Sequence, residues 1–459
     1  MRKSIISLII VWTLIILGVS LRAFKADVYP VDNNDDGLHY TWAGMSFWKN
    51  PLKPTTHSIF DQDNLSLKWR SQFMDYIPIL RFGLKVVEPW QDHPPLGAAL
   101  IGLPAKLLGY QPYALVPQMI VRWPAIIASI LTLYFTYLIA KEWFSEKVAK
   151  LSLVGLATIP YFVIAHRQAF LENFLTPLFL ITVYDLMKYL KTKDKKDLVK
   201  VMGLSFLAGW IKIVGFSIPF MIAGWLLIEK KVSEGKKLIM TGVVSVMAYL
   251  GYAFLVSKEV FLQTLANQGT RGAFVSSFLD GLTYPEFYGA FRDGWYVLGL
   301  IMALMLLVMK KNKAFSWFMA CWLVVIFLTS GKLANSPWYR YPLIPFMAMG
   351  LGYYAAKFLK NNSLYLGLPF WLLGLTGFDL LKIELPTMVL RIATLGFAGI
   401  YGLKLMVKHK LIKKLAYLTT RIFLISLVLL NIIVILKFST IYCSHEQCLA
   451  PFKIILEEK

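Results

Sequence analysis

The sequence predicts an all-α polytopic membrane protein with about 13 transmembrane helices and a long first outer loop that contains interfacial helices. Three observations predict it. Of the 459 residues, 57% are hydrophobic and only 16% charged, whereas soluble domains carry roughly a quarter charged residues. Apolar runs of about 20 residues, the length that crosses a bilayer, recur from end to end. Finally, short connections rich in lysine alternate with connections poor in it, the pattern of helices passing between a cytoplasmic and an outer face. The net charge of +22 is spread over these connections, so it reads as cytoplasmic anchoring and excludes nucleic acid as the expected partner.

Arg2 and Lys3 precede the first apolar run, Ser4 to Leu21, which places the N-terminus in the cytoplasm. That run is longer than the apolar core of a cleaved signal and no small-residue cleavage site follows, so it reads as an uncleaved helix. A second helix spans Val121 to Ala140 and returns to Lys141, Lys147 and Lys150. Leu151–Ala165 and Phe170–Met187 form a hairpin whose outer turn carries His166, Arg167 and Glu172, and Lys188 to Lys200 is an inner loop. Two helices go out and back around Lys212 to reach Lys230, Lys231, Lys236 and Lys237, and the next ends near Ser257.

After an outer loop over 258–294, a helix closes on Lys310, Lys311 and Lys313. Another exits near Thr329 into the outer segment Ser330 to Pro342, and its successor returns to Lys357 and Lys360. Two helices flank an outer turn at Lys382–Pro386. A last helix follows the inner cluster Lys404 to Arg421 and leaves a short outer C-terminal tail. Three cysteines are too few for a disulfide framework; Cys443 and Cys448 could pair if the tail lies in an oxidising compartment.

The exceptional stretch is residues 24–119, with nine acids against eight bases, so it lacks the cationic bias of the inner loops. Within it Tyr40–Trp48 and Pro95–Leu108 are too short to span and read as helices lying at the interface, the depth that suits Trp42, Trp48, Trp69 and Trp90. The run Asp32-Asn33-Asn34-Asp35-Asp36-Gly37-Leu38-His39 places an acidic cluster directly outside the first helix. Asp35 and Asp36 can be read as a helix cap, but His39, one turn on from Asp35, shares their face. A second outer segment, Asp92-His93-Pro94-Pro95, supplies another acid beside a histidine, and two prolines start its helix. This pair could be solvated, or could bind a cation or a phosphate; a divalent cation held by Asp36, Asp92 and His93 is compatible with the residues, although none is required. Lys212 lies on the outer side inside apolar sequence, where an ionisable residue defaults to a functional reading. Arg167, Glu172 and the Tyr339-Arg340-Tyr341-Pro342 segment add further charge and phenols on that side, with interface anchoring as the bland alternative.

Acids after the first helix, a Pro-Pro interfacial segment, Arg122-Trp123-Pro124 opening the second helix, Arg167 five residues before Glu172, and an outer Lys212 beside Trp210 occur in this order. This order resembles the GT-C membrane glycosyltransferases, nearest to the protein O-mannosyltransferases and the lipid A aminoarabinose transferases. The resemblance covers about the first 220 residues and the Tyr-Arg-Tyr-Pro segment. It implies a GT-C-like module over residues 1–220, whose outer loop 24–119 carries the catalytic acids, and a second transmembrane module over 221–459 with outer loop 258–294.

It also implies transfer of a sugar from a polyprenyl-phosphate donor to an acceptor hydroxyl on a protein, lipid or glycan, at the extracytoplasmic face of a cell membrane. Carried over, Asp35 is the proposed base, with Asp36 supporting it or exchanging roles. Arg167, Lys212, Arg340 and His93 would hold the donor phosphate; His39, Asp92, Glu172, Tyr339 and Tyr341 would support the sugar or acceptor. Glu172 stands where relatives often have aspartate, and Asp92-His93 where some have an acid and a lysine, so the phosphate role of His93 depends on its protonation. A transporter or flippase is the alternative, but it is expected to place ionisable groups near the midplane in repeated halves, and these candidates gather at one face.

Overall fold

The chain was analysed as a computed structural model, which describes residues 2–30, 36–56, 74–79, 82–112, 114, 116–269, 293–330, 337–407 and 409–442. Asp32, Asp35, Cys443 and Cys448 lie outside the described residues. The helical reading holds. Helix α1 (Arg2–Ala23) leads to a connecting segment containing α2 (Asp36–Lys49) and α3 (Pro95–Leu107). The next rods are α4 (Gln118–Trp143), α5 (Glu146–Thr158), α6 (Pro160–Ala165), α7 (Glu172–Thr192), α8 (Lys195–Ile211) and α9 (Ser217–Ile228). The second half runs through α10 (Val232–Gly269), α11 (Gly294–Val308), α12 (Lys313–Ser330), α13 (Ile344–Asn361), α14 (Leu364–Gly374), α15 (Thr376–Leu380), α16 (Thr387–Met406) and α17 (Lys410–Tyr442).

Among the described residues, α1, α4, α10, α16 and α17 are long and apolar enough to cross a membrane. Ile213–Ile228, Gly294–Val308, Lys313–Thr329 and Leu364–Leu380 are shorter apolar pieces. The α10 rod is interrupted at Ser257, whose extended backbone ends one helix while its hydroxyl accepts from the Val260 amide to start the next.

The all-α expectation needs one amendment. The segment between α2 and α3 contains an antiparallel ladder of β1 (Met74–Ile79) with β2 (Phe82–Val87), in the register Met74 opposite Val87 and Ile79 opposite Phe82. Val87 also donates its amide to the Thr56 carbonyl at 2.8 Å, and Trp90 donates to Pro54 at 2.6 Å. These bonds satisfy backbone groups at the base of the ladder and bring residues 50–56 beside residues 87–92.

The lysine-rich turns share one end of the bundle. Lys191 in the last turn of α7 pairs with Glu142 at the end of α4, and Asn312 donates to the Trp143 carbonyl at 3.0 Å. Tyr189 donates to Glu234 at 2.7 Å, joining α7 to the start of α10. Several helices at this end stop on a residue with a left-handed backbone: Lys193, Lys230, Lys310 and Asn362, with φ between 46° and 58°. Such a residue terminates a helix by turning its amide back onto the last carbonyls, a task more often given to glycine.

Helices α2 and α3 cross at a contact made of glycine. A Cβ on Gly102 would stand 2.6 Å from both the Met45 amide nitrogen and the Thr41 carbonyl oxygen, and one on Gly44 would collide with the Ala98 carbonyl. Backbone therefore meets backbone at this crossing, and neither neighbour can yield by rotating a side chain. Gly102→Ala is expected to destabilise the α2–α3 unit by about 1–3 kcal/mol or more, as overpacking does. Thermal unfolding of the purified protein would show the loss as a lowered Tm.

Candidate active site

Helix α2 starts with Asp36, whose carboxylate lies in the first turn, where the positive end of a helix favours an anion. One turn later Tyr40 points into the protein, 8% exposed. Around it stand the Trp90 ring at 6.1 Å and the His93 ring at 5.7 Å. Burial, and then Asp36, Glu172, Tyr339 and Asp92 in that order, push the Tyr40 phenol well above its ordinary value. It therefore keeps its proton and offers a hydrogen-bond donor amid three carboxylates. Sequence reasoning missed Tyr40; the available signal was its position one helical turn after Asp36.

Asp92 is buried at 4% exposure, one residue removed from the two prolines that start α3. Gln91 beside it donates to the Ala253 carbonyl at 3.0 Å, which fastens this segment to α10 just before its break. The close approach of α2 and α3 thus carries Asp36 and the Asp92-His93 pair on one unit. The hydroxyl of Thr56 reinforces that unit by donating to the His39 carbonyl at 2.9 Å. The His39 ring itself sits against Trp42, 6.0 Å between centroids.

The cationic part comes from a helix break. Helix α8 ends at Ile211, Lys212 takes an extended conformation, and a short 3-10 turn over Ile213–Phe216 follows. Glycine makes the break feasible, since a Cβ on Gly209 would collide with the Phe216 ring and one on Gly215 with the Ala208 carbonyl. The Lys212 ammonium donates to the Glu172 carboxylate, and both side chains are buried, at 6% and 2% exposure. It also lies 4.6 Å from the centre of the Tyr339 ring, a distance at which a ring face attracts a cation. Glu172 is the first residue of α7, so this pair joins two helix ends at the edge of the same group of carboxylates.

Asp36, Asp92, His93, Glu172, Lys212 and Tyr339 therefore assemble around Tyr40. The remaining candidates have other neighbours. Arg167 donates to the carbonyls of Leu21 at 2.7 Å and Tyr29 at 3.2 Å. Arg122 does the same to Ala26 and Pro30, at 2.5 Å each. Both guanidiniums are buried and hold the main chain that leads from α1 toward Asp36. Arg340 is buried beside Tyr296, and Tyr341 donates to Gln168 at 2.9 Å. Among the described residues no group of three or more His, Cys, Asp or Glu side chains is placed to hold a metal ion.

Comparison with known proteins finds chains that are similar in sequence or in fold. Residues 92–253 match the family described as dolichyl-phosphate-mannose-protein mannosyltransferase, a stretch that includes Asp92, His93, Arg122, Arg167, Glu172 and Lys212. No curated protein matches the chain. Among solved structures, ArnT from Cupriavidus metallidurans bound to undecaprenyl phosphate is similar, with TM-score 0.55 and 13% identity over 93% of this chain and 77% of that one. The apo state of the same ArnT gives TM-score 0.50 and 13% identity over 94% and 77%. With a sequence match across the central helices and a shared fold along nearly the whole chain, this protein resembles the GT-C membrane glycosyltransferases, in the mannosyltransferase and ArnT branch.

Proposed function

We propose that this protein transfers a sugar from a polyprenyl-phosphate donor to an acceptor hydroxyl at the outer membrane face. The observation that carries the proposal is the gathering of Asp36, Asp92 and Glu172 about the Tyr40 phenol, with the buried Lys212 ammonium at its edge. The family match and the likeness to an ArnT bound to undecaprenyl phosphate support it. Asp36 or Asp35 removes the proton of the acceptor hydroxyl as its oxygen attacks the anomeric carbon. The bond from that carbon to the phosphate oxygen breaks, and its electron pair leaves with the lipid phosphate. Lys212, supported by His93, neutralises the charge that develops there. A single displacement of this kind inverts the anomeric configuration. A carboxylate and cations suffice for these steps, and a divalent cation at Asp36 and Asp92 is an addition to the scheme rather than a part of it.

The test is incubation of the purified protein with a panel of labelled polyprenyl-phosphate sugars and mixed hydroxyl acceptors, with and without a chelator. Transfer or slow hydrolysis of at least one donor is expected, with an inverted linkage by NMR and no loss on chelation. Absence of turnover with every donor, or a retained configuration, would overturn the reading. Movement of intact donor across a liposome membrane without turnover would favour a flippase instead. With an active donor in hand, Tyr40→Phe is expected to lower kcat about tenfold to a hundredfold, since it removes one buried donor and leaves the ring in place. Unchanged kcat would assign Tyr40 a packing role.

A further inference from the structure

A second site lies at the opposite end of α4 and takes no part in the reaction above. Where α4 runs out toward the lysine-rich face it parts from α1, leaving a cleft of about 710 Å³, within the range of small-molecule sites. Trp12 of α1 still stacks on Tyr134 of α4 at 5.7 Å, so the helices touch farther along and diverge toward this end. Ile6, Leu8 and Leu138 line the walls. Ile6 and Leu8 are 50% and 56% exposed on a helix apolar enough to cross the membrane, so the cleft opens sideways into lipid.

The rim is charged. Lys150 pairs with Glu146 at 2.9 Å, and Glu146 also accepts from the Ser7 hydroxyl, which ties α1 to α5. Lys141 is exposed and makes no ion pair among the described residues. Its nearer acids are occupied, Glu142 by Lys191 and Glu146 by Lys150 and Ser7. Exposed Lys147 lies in the first turn of α5. Two lysines therefore line the cleft mouth against one carboxylate, leaving a positive excess over an apolar, lipid-facing gap. From Arg122, which holds the outer segment, to Lys141 is about 28 Å at 1.5 Å per helical residue. That distance is close to one hydrocarbon thickness, so the rim sits at the headgroup level of the other leaflet.

We propose that this cleft binds an anionic phospholipid of that leaflet, with an acyl chain between α1 and α4 and its phosphate between Lys141 and Lys150. Apolar walls alone would accept any lipid; the uncompensated Lys141 selects for net negative charge. The inference is independent of the proposed transfer reaction.

Native mass spectrometry of the full chain in detergent, titrated with phosphatidylglycerol or phosphatidylcholine of matched chains, tests it. Phosphatidylglycerol should be retained preferentially, and inorganic phosphate should not displace it. The variant K141Q/K150Q should bind phosphatidylglycerol about tenfold to thirtyfold more weakly, given the contribution of each basic residue near an anionic headgroup. K141Q, at an exposed position that leaves the Glu146 pair intact, should show part of that loss, and K195Q/K196Q at the start of α8 should show none. Ile6→Trp, which fills the gap, should weaken retention without altering the rim. Equal retention of the two lipids, or undiminished retention by K141Q/K150Q, would overturn the proposal.

Discussion

Lys212→Met should destabilise the protein by about 3–5 kcal/mol, the cost of leaving one member of a buried ion pair without its partner. Glu172 accepts the Lys212 ammonium at the start of α7 and is 2% exposed, so water cannot replace the lost cation. Glu172→Leu should be comparably harmful for the converse reason. The double variant K212M/E172L should recover most of the loss, since a well-packed apolar pair can match a buried ionic one. Thermal unfolding of the four proteins forms the cycle. Activity separates the roles of the pair: if the ammonium meets the leaving phosphate, the double variant will be folded yet inactive. A double variant that is both stable and active would reduce Lys212 to a structural residue.

Asp36→Asn is expected to lower turnover by about 10²–10⁴, the range contributed by a positioned general base. The amide is nearly isosteric and still suits the start of α2, since asparagine is as good as aspartate at a helix N-terminus, so Tm should change little. Asp35→Asn provides the comparison. The base is the position whose amide abolishes transfer while donor binding persists, and a large effect at only one of the two decides between them. Turnover unaffected by both changes would remove the acids after α1 from the chemistry.

The helical frame was readable because bilayer length and lysine placement are strong, repeated constraints. Arg2 and Lys3 before α1, and Lys310, Lys311 and Lys313 after α11, each mark a helix end independently of the rest. The β1–β2 ladder was not readable, because Pro78 and Gly83 fall inside the strands, where both residues argue against strand.

Within the site, Asp36, Asp92, His93, Glu172 and Lys212 stood out as polar residues in apolar surroundings. Their pairing did not. Glu172 and Lys212 are separated by the whole of α7 and α8, and only the break after Ile211 turns the lysine back toward the glutamate. Tyr40 was passed over because a phenol near Trp42 reads as an interface anchor; its environment is set by the start of α7, far along the chain. Arg167 illustrates a further limit. Its partners are backbone carbonyls, which every residue possesses and which leave no mark in a sequence.

That choice of partners bears on how the protein can change over time. Arg122 and Arg167 grip the chain between α1 and α2 through the carbonyls of Leu21, Ala26, Tyr29 and Pro30, not through its side chains. A grip of this kind is blind to the identity of most residues it holds. The connector can therefore drift in sequence while the two arginines keep the chain that leads from α1 toward Asp36 in place. Mutational tolerance should be divided unevenly here, high along the connector and low at the two guanidiniums.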